Sequence, residues 1–299
     1  MTIACPACAS DATSPFIEAP RDREYHVEHR ATVRRCDSCR SLFQHPQPAA
    51  EEVRGFYGAD YQNYGGSSVP LLARLDAAYQ RRQADAFLAR HGRAARVLDF
   101  GCGQGGFLRA ILAAGAEKPA GFDFVLYPEL RALAGIRTFD DIDAMAAGGV
   151  RFDVIRMRHV IEHLTDHDGT MRRLAGLLAP GGRIVGQTPN GGHHTAGWMR
   201  QWWGPLHFPY HTLLYSVAGL KAAAKRWGLQ LDGTSGALLP SAWSIGAENL
   251  LKALTGSRRR GRTPLYVGLM AAGMPLALLD YALNPRATAN FDFTLVAAS

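Results

Sequence analysis

The chain has 299 residues, enough for one large α/β domain plus a small module. A hydrophobic content of 47% supports a real core and excludes an unstructured chain. The net charge of +7 points to an anionic partner, whether nucleic acid, a membrane surface or an acidic substrate, although arginines placed singly along helices explain it equally well.

The N-terminus, Met-Thr-Ile-Ala-Cys, carries no charged-then-apolar secretion signal, so a cytoplasmic protein with reduced thiols is expected. No internal repeat is visible. Residues 1–45 hold Cys5-Pro-Ala-Cys8 and Cys36-Asp-Ser-Cys39. Two Cys-x-x-Cys knuckles at this separation suit one tetrahedral zinc with four thiolates, Cys5, Cys8, Cys36 and Cys39. Two disulfides are disfavoured by compartment, and a redox pair by the presence of two pairs. His26 and His29 read as surface residues, since four thiolates complete the shell. A segment this short is expected to need metal to hold a core.

Residues 46–92 read as a linker and helical lead-in. Pro46-Gln47-Pro48 is a stiff connector, and Gly65-Gly66-Ser67-Ser68 a flexible break. Between them, Phe56, Tyr57, Tyr61 and Tyr64 either pack between domains or cover a cofactor edge. A helix is expected over Leu71–His91, with Leu72, Leu75 and Tyr79 on one face and Gly92 as the stop.

Residues 93–299 begin with Val-Leu-Asp-Phe-Gly-Cys-Gly-Gln-Gly-Gly-Phe at Val97–Phe107. Arg96–Phe100 has the apolar run of a buried strand, Gly101, Gly103 and Gly105 form a tight turn, and Gln104–Gly115 turns helical. This is the opening unit of a doubly wound sheet. Gly101, Gly103 and Gly106 also satisfy a dinucleotide Gly-x-Gly-x-x-Gly. Asp99 tips the reading away from it, because a carboxylate in a buried strand repels pyrophosphate and would meet an ammonium instead. Pro119–Asp123 is a second strand, with Asp123 at the offset where an acid reaches ribose hydroxyls. Ile136–Phe139 is a third, followed by Asp140-Asp141, which either approach an adenine amino group or cap a helix. Phe152–Arg158 is a fourth, Met171–Leu178 a helix, Pro180-Gly181-Gly182 a turn, and Arg183–Thr188 a fifth strand. Residues 191–215 read as a long loop rich in His and Trp, including His193, His194, Trp198, Trp202, Trp203, His207 and His211. Ser216 caps the next helix. Leu229–Asp232 and Ala289–Ala297 are the last strands, separated by an insertion over 235–288 with Arg258-Arg259-Arg260-Gly261-Arg262 and the apolar Pro264–Leu279.

Asp-x-Gly-x-Gly-x-Gly at Asp99–Gly105 resembles the first motif of class I S-adenosylmethionine (SAM)-dependent methyltransferases. "FDVI…HVIEHL" at Phe152–Leu164 and "LAPGGRIVGQTPN" at Leu178–Asn190 are similar to later motifs of that family. With "PYHTLLYS" at Pro209–Ser216 and the cysteine pairs, the chain resembles the bacterial branch with an N-terminal Cys-x-x-Cys pair zinc module, often associated with surface glycans, lipids or other secondary products. Gln104 departs from the small hydroxyl residue common there, and Arg156 and Arg158 make the fourth strand unusually basic.

The resemblance implies a doubly wound, seven-stranded, mostly parallel sheet with the last strand antiparallel, beside a small N-terminal zinc-binding module. It implies a SAM-dependent methyltransferase acting on a small-molecule, glycan or lipid-precursor acceptor. Candidate cofactor contacts are Asp99, Gly101, Cys102, Gly103, Gly105, Asp123, Asp140, Asp141 and His159. The candidate base is His163, with Glu162 beside it and His211 as second, because an imidazole at that edge titrates near neutral pH. The alternatives are an RNA methyltransferase using the module and positive charge, a nicotinamide oxidoreductase, and a non-catalytic cofactor-binding protein. A peripheral membrane contact is expected through 257–279, where the apolar run is short for a span.

Overall fold

The computed structural model describes residues 2–57 and 70–298, and side chains from residue 77 onward in the second helix, with Arg74 also described. Tyr61, Tyr64, the Gly65–Ser68 break and the side chains of Leu72 and Leu75 therefore lie outside the described residues.

The N-terminal strands are β1 (Thr13–Ile17), β2 (Thr32–Cys36) and β3 (Leu42–His45). A short helix α1 (Ala50–Phe56) and a long helix α2 (Pro70–His91) lead to β4 (Arg96–Phe100) and α3 (Gly106–Ala113). Then come β5 (Lys118–Phe122), α4 (Pro128–Arg131), β6 (Arg137–Phe139), α5 (Ile142–Ala147) and β7 (Phe152–Arg158). The second half runs through α6 (His167–Gly176), β8 (Leu178–Pro189), α7 (His194–Met199), β9 (Leu213–Leu214), α8 (Val217–Arg226) and β10 (Leu229–Gly236). It ends with α9 (Ser241–Leu254), α10 (Tyr266–Leu283) and β11 (Asn290–Ala297).

Seven strands form one sheet in the order β10-β11-β8-β7-β4-β5-β6. The pairs among β8, β7, β4, β5 and β6 are parallel, and β11 is antiparallel to both β8 and β10. The chain winds outward from β4 through β5 and β6, then returns to the other side of β4 with β7 and β8. Ligands of such sheets bind at the carboxyl ends of the strands where that reversal occurs. The apolar face of β7 supplies Ile155 and Met157, both fully buried, to a core shared with Leu98, Phe100 and Phe122 on neighbouring strands or Leu174 on α6.

Several expectations are corrected. Pro180-Gly181-Gly182 is not a turn between elements but an irregularity inside β8, where the register with β7 slips between Phe152 and Val154. Gly181 has φ +75°, a backbone that glycine adopts without strain. In α2, Tyr79 is 42% exposed, and Ala84 and Leu88 are buried. His29 is not a bare surface residue, since its ring packs against Phe56 at 5.3 Å and Phe208 at 5.7 Å. The 191–215 segment is not a loop alone, for it contains α7, β9 and two 3-10 turns.

The cysteine-bearing strands do not stand apart either. β3 pairs with β9, so the order of the second sheet is β1-β2-β3-β9. Gln44 donates to the Pro209 and His211 carbonyls at 2.7 and 2.8 Å, and Arg226 of α8 donates to the Pro6 carbonyl at 2.6 Å. Cys5, Cys36 and Cys39 share one core with Tyr215, Leu220 and Trp227. The small module thus borrows apolar cover from the large domain.

Asp99 on β4 stands opposite Arg156 on β7, and Arg156 Nη1 donates to Asp99 Oδ1 at 2.6 Å. Their side chains are 4% and 16% exposed, so each charge depends on the other. Arg156→Met should destabilise the fold by about 3–5 kcal/mol in urea titration, because it strands a buried carboxylate. Asp99→Leu combined with Arg156→Met should recover most of that loss. A double variant as unstable as the single one would show that the pair does more than neutralise itself.

Candidate active site at the sheet edge

The glycine turn follows β4 at the carboxyl edge of the sheet. Gly101, Gly103 and Gly105 have φ +78°, +51° and +76°, a backbone region that L side chains rarely adopt. A Cβ at Gly101 would also lie 2.4 Å from Val160 Cγ2, so this turn packs directly on the segment after β7. Cys102, between the glycines, is buried with its thiol pushed up, chiefly by burial. Asp123 follows β5. Its Oδ2 accepts from the Gly103 N–H at 2.8 Å and its Oδ1 from the Val125 N–H at 3.2 Å. Burial pushes its carboxyl up against those two donors. Phe124 and Val125, directly beyond it, are 61% and 66% exposed.

Asp99 lies at the same edge, yet its cation is internal. A cation within the fold, Arg156, meets one oxygen of this acid, which the sequence did not announce. Burial pushes the Asp99 carboxyl up and Arg156 opposes it. Only Oδ1 is bonded to Arg156, and Oδ2 has no hydrogen-bond partner among the described residues. Asp140 and Asp141 sit after β6, away from this pair. Asp140 bonds Arg131 at 2.5 Å. Asp141 is the N-cap of α5, accepting from the Asp143 and Ala144 N–H groups.

β7 ends in a tight polar cluster. His159 has φ +53°, which turns the chain out of the strand. Its Nδ1 lies 3.1 Å from Glu162 Oε1 and its Nε2 3.0 Å from Gln187 Oε1. Glu162 is fully buried; Thr188 Oγ1 donates to its Oε2 at 3.0 Å. Burial alone would raise Glu162, but the hydrogen bond and charge of His159 hold it below the usual range. Arg158 donates to Gln187 Oε1 at 3.2 Å and to Tyr79 Oη at 3.0 Å, and Gln187 donates onward to Asp292 at 2.7 Å. Gln187, Thr188 and Asp292 were not singled out from the sequence, and Tyr79 was read only as part of a helix face. They stand on unrelated segments, and only the strand register aligns them.

His163 and His211 come together, with ring centroids 4.6 Å apart. His163 Nδ1 lies 3.1 Å from the Tyr210 carbonyl, which can only accept. Tyr57 Oη approaches the same Nδ1 at 2.9 Å. Burial pushes His163 down to about 4, so the expected titration near neutral pH is corrected: this imidazole is neutral at pH 7. Burial also drives His211 well down, and its Nδ1 donates to the Pro205 carbonyl at 2.8 Å. One ligand atom each from Glu162, His163 and His211 falls within 4.8 Å of the others.

The four N-terminal cysteines converge without disulfides. Cys5 and Cys39 sulfurs lie 3.8 Å apart, Cys8 and Cys36 sulfurs 3.5 Å, and all four within 4.8 Å. The two knuckles have matching turns. Ala9 and Arg40, each following a second cysteine, have φ +61° and +68°, and their N–H groups bond the first cysteine's carbonyl at 2.8 and 2.9 Å. A hydrogen bond from Cys5 pushes the Cys39 thiol down to about 5.

Residues 72–233 match the family described as Methyltransferase domain, which takes in the glycine turn, the β7 cluster and His211. A ubiquinone biosynthesis O-methyltransferase of Xanthomonas axonopodis pv. citri is 29% identical over 168 residues, 48% of this chain and 66% of that protein. A malonyl-[acyl-carrier protein] O-methyltransferase of Pseudescherichia vulneris is 34% identical over 113 residues, 36% of this chain and 44% of its own. The chain thus spans less than two thirds of these relatives' length. Among solved structures, a coclaurine N-methyltransferase bound to N-methylheliamine and SAH is similar, with TM-score 0.48, 14% identity, and coverage of 83% of this chain and 79% of that one. With the family match spanning more than half of its length, the chain belongs to the methyltransferase-domain family.

Proposed function

We propose that this protein transfers a methyl group from SAM to a small-molecule acceptor, with a glycan or lipid precursor as the finer reading. The observation that carries it is the glycine turn held open beside Asp123 at the switch point of the sheet. Asp123 accepts two backbone N–H groups, one on each oxygen, and a carboxylate has about four lone-pair sites, so capacity remains for two ribose hydroxyls. The exposed Phe124 and Val125 beside it offer an apolar face for adenine. Asp99 Oδ2 remains for the cofactor's ammonium. These residues fit SAM.

When bound, SAM supplies an activated sulfonium methyl, so the protein's task is mainly alignment. The His159–Glu162–Thr188 bonds fix the backbone after β7, and with it the position of His163. The unprotonated ring nitrogen of neutral His163 would take a proton from an acceptor hydroxyl or amine. Glu162 orients the cluster, and His211 closes it from the other side.

The cysteine cluster is proposed as a structural zinc site. Ligands about 2.3 Å from zinc in a tetrahedron stand roughly 3.75 Å apart, close to the 3.8 and 3.5 Å of the Cys5–Cys39 and Cys8–Cys36 pairs. Domain limits of 1–45, 46–92 and 93–299, a cytoplasmic location and a membrane contact through 257–279 complete the proposal.

Calorimetry should show binding of SAM and its demethylated product but not NAD. Asp123→Ala should weaken SAM by about 1.5–3 kcal/mol, roughly ten- to a hundredfold. NAD binding without a response to SAM would end the reading. For the base, His163→Ala should keep SAM affinity and lose on the order of 10²–10⁴ in turnover. Because the imidazole stays neutral down to about pH 4, wild-type turnover should hold level from neutral pH through pH 6. An acid limb centred near the unperturbed histidine pKa of about 6.5 would contradict this assignment. Metal analysis should find one zinc per chain, lost in Cys36→Ser; full retention of zinc in that variant would refute the four-thiolate site.

A further inference from the structure

The insertion between β10 and β11 forms the α9–α10 hairpin, and α10 is built inside out. Of its 18 residues, Gly273, Ala277 and Asp280 are buried. Their spacing of four and three puts them on one stripe, which faces the protein. Gly273 lies against Pro240 and Trp243, and Asp280 Oδ1 is 2.9 Å from His193 Nε2. The bulky apolar residues point the other way. Leu265, Val267, Leu276, Leu278, Leu279 and Leu283 are 43–71% exposed, and Leu254 at the end of α9 is 75% exposed. A helix apolar around its circumference is normally covered, and a contiguous exposed apolar patch marks a docking site.

The charge beside this patch selects what covers it. From Lys252 to Leu279 the chain contains no Asp or Glu. Lys252 and Arg262 are used internally: Lys252 donates to the Gly261 carbonyl at 2.5 Å, and Arg262 bonds the buried Glu24 at 2.9 Å. They pin the loop before α10, and Arg258 and Arg259 project from it, exposed and without an ion pair among the described residues. A second copy of this chain would bring like charges to like. An anionic lipid surface supplies both an apolar layer and negative headgroups.

We propose that the α9–α10 hairpin docks the protein on an anionic lipid surface, with α10 lying in the plane of the interface. By length and composition α10 is long and apolar enough to cross a bilayer. Its attachment to α9 and to His193 along the Gly273–Asp280 stripe keeps it flat, because spanning would carry Asp280 into hydrocarbon. The stripe of α10 that faces the protein meets the 191–215 segment through Asp280 and His193. His193 follows the carboxyl end of β8, its ring lies 4.0 Å from that of His194 at a tilt of 42°, and His194 contacts Trp198, which is 71% exposed. Tryptophan is at home at a lipid–water boundary. The acceptor is accordingly an amphiphile drawn from that surface; this half of the inference rests on the methyl-transfer reading, and the docking half does not.

The test floats the full chain with phosphatidylcholine–phosphatidylglycerol vesicles and with phosphatidylcholine alone. The chain should float with the anionic vesicles at low salt and stay behind with the neutral ones. Leu278→Glu with Leu279→Glu should reduce flotation at least tenfold with an unchanged thermal midpoint, and Leu278→Gln with Leu279→Gln serves if the first pair misfolds. Arg258→Glu with Arg259→Glu should give a similar loss. SAM affinity by calorimetry should be the same in every variant. Absence of flotation, flotation indifferent to both pairs of changes, or a dimer on gel filtration that the leucine changes dissolve would each overturn the docking. Flotation without SAM binding would uphold the docking and fault the methyl-transfer reading instead.

Discussion

Glu162 has 0% of its surface exposed, and three segments meet on it. Its carboxylate takes His159 from the end of β7 and Thr188 from the end of β8. Its backbone carbonyl accepts the Thr212 N–H at 2.8 Å, from the stretch that becomes β9. A buried carboxylate without partners would be too costly to keep, so the three segments are held as one arrangement. The consequences spread outward. Fixing Thr212 places β9, β9 completes the sheet that carries the cysteine knuckles, and Gln44 of that sheet returns to hold the Pro209 and His211 carbonyls. The proposed base, its neighbour His211 and the cysteine cluster therefore share one framework.

The same economy of charge recurs elsewhere. Asp99 is met by Arg156, and Glu24 is met by His207 and Arg262, which with burial opposing them hold its carboxyl down at about 2. Both pairings lie inside the fold and fix elements far apart in sequence: β4 to β7, and the cysteine-bearing segment to the loop before α10. Some arginines that would read as scattered positive charge are internal anchors, while Arg258 and Arg259 face outward beside the apolar hairpin.

Much of the large sheet was legible in the sequence. Short apolar runs bounded by glycine or acid marked β4, β5, β7 and β11, and three alternating glycines marked the turn, because only such a backbone tolerates φ near +78°. The cysteine cluster was legible from spacing alone. What could not be read was long-range pairing. Nothing local announces that Leu213–Leu214 joins the N-terminal sheet, or that Gln187 and Asp292 stand in register beside Arg158. Arg156 was visibly odd in a buried strand, and a search for its counter-ion would have led to Asp99. The neutrality of His163 was hidden because it comes from burial under Tyr57 and Tyr210, which sequence distance conceals. The 191–215 stretch looked like a loop since its turns are stitched by histidine and tryptophan contacts rather than by an apolar period.

The central claim is that the edge around Gly101, Asp123 and His163 moves a methyl group onto a small molecule. The most direct measurement incubates the protein with methyl-labelled SAM and a fractionated cell extract, then follows the label into water-soluble, lipid-extractable and nucleic-acid fractions. The account predicts label in a small-molecule fraction, strongest among lipid-extractable compounds, with none in the Asp123→Ala control. Label confined to nucleic acid, or no transfer to any fraction by protein that binds SAM, would contradict it.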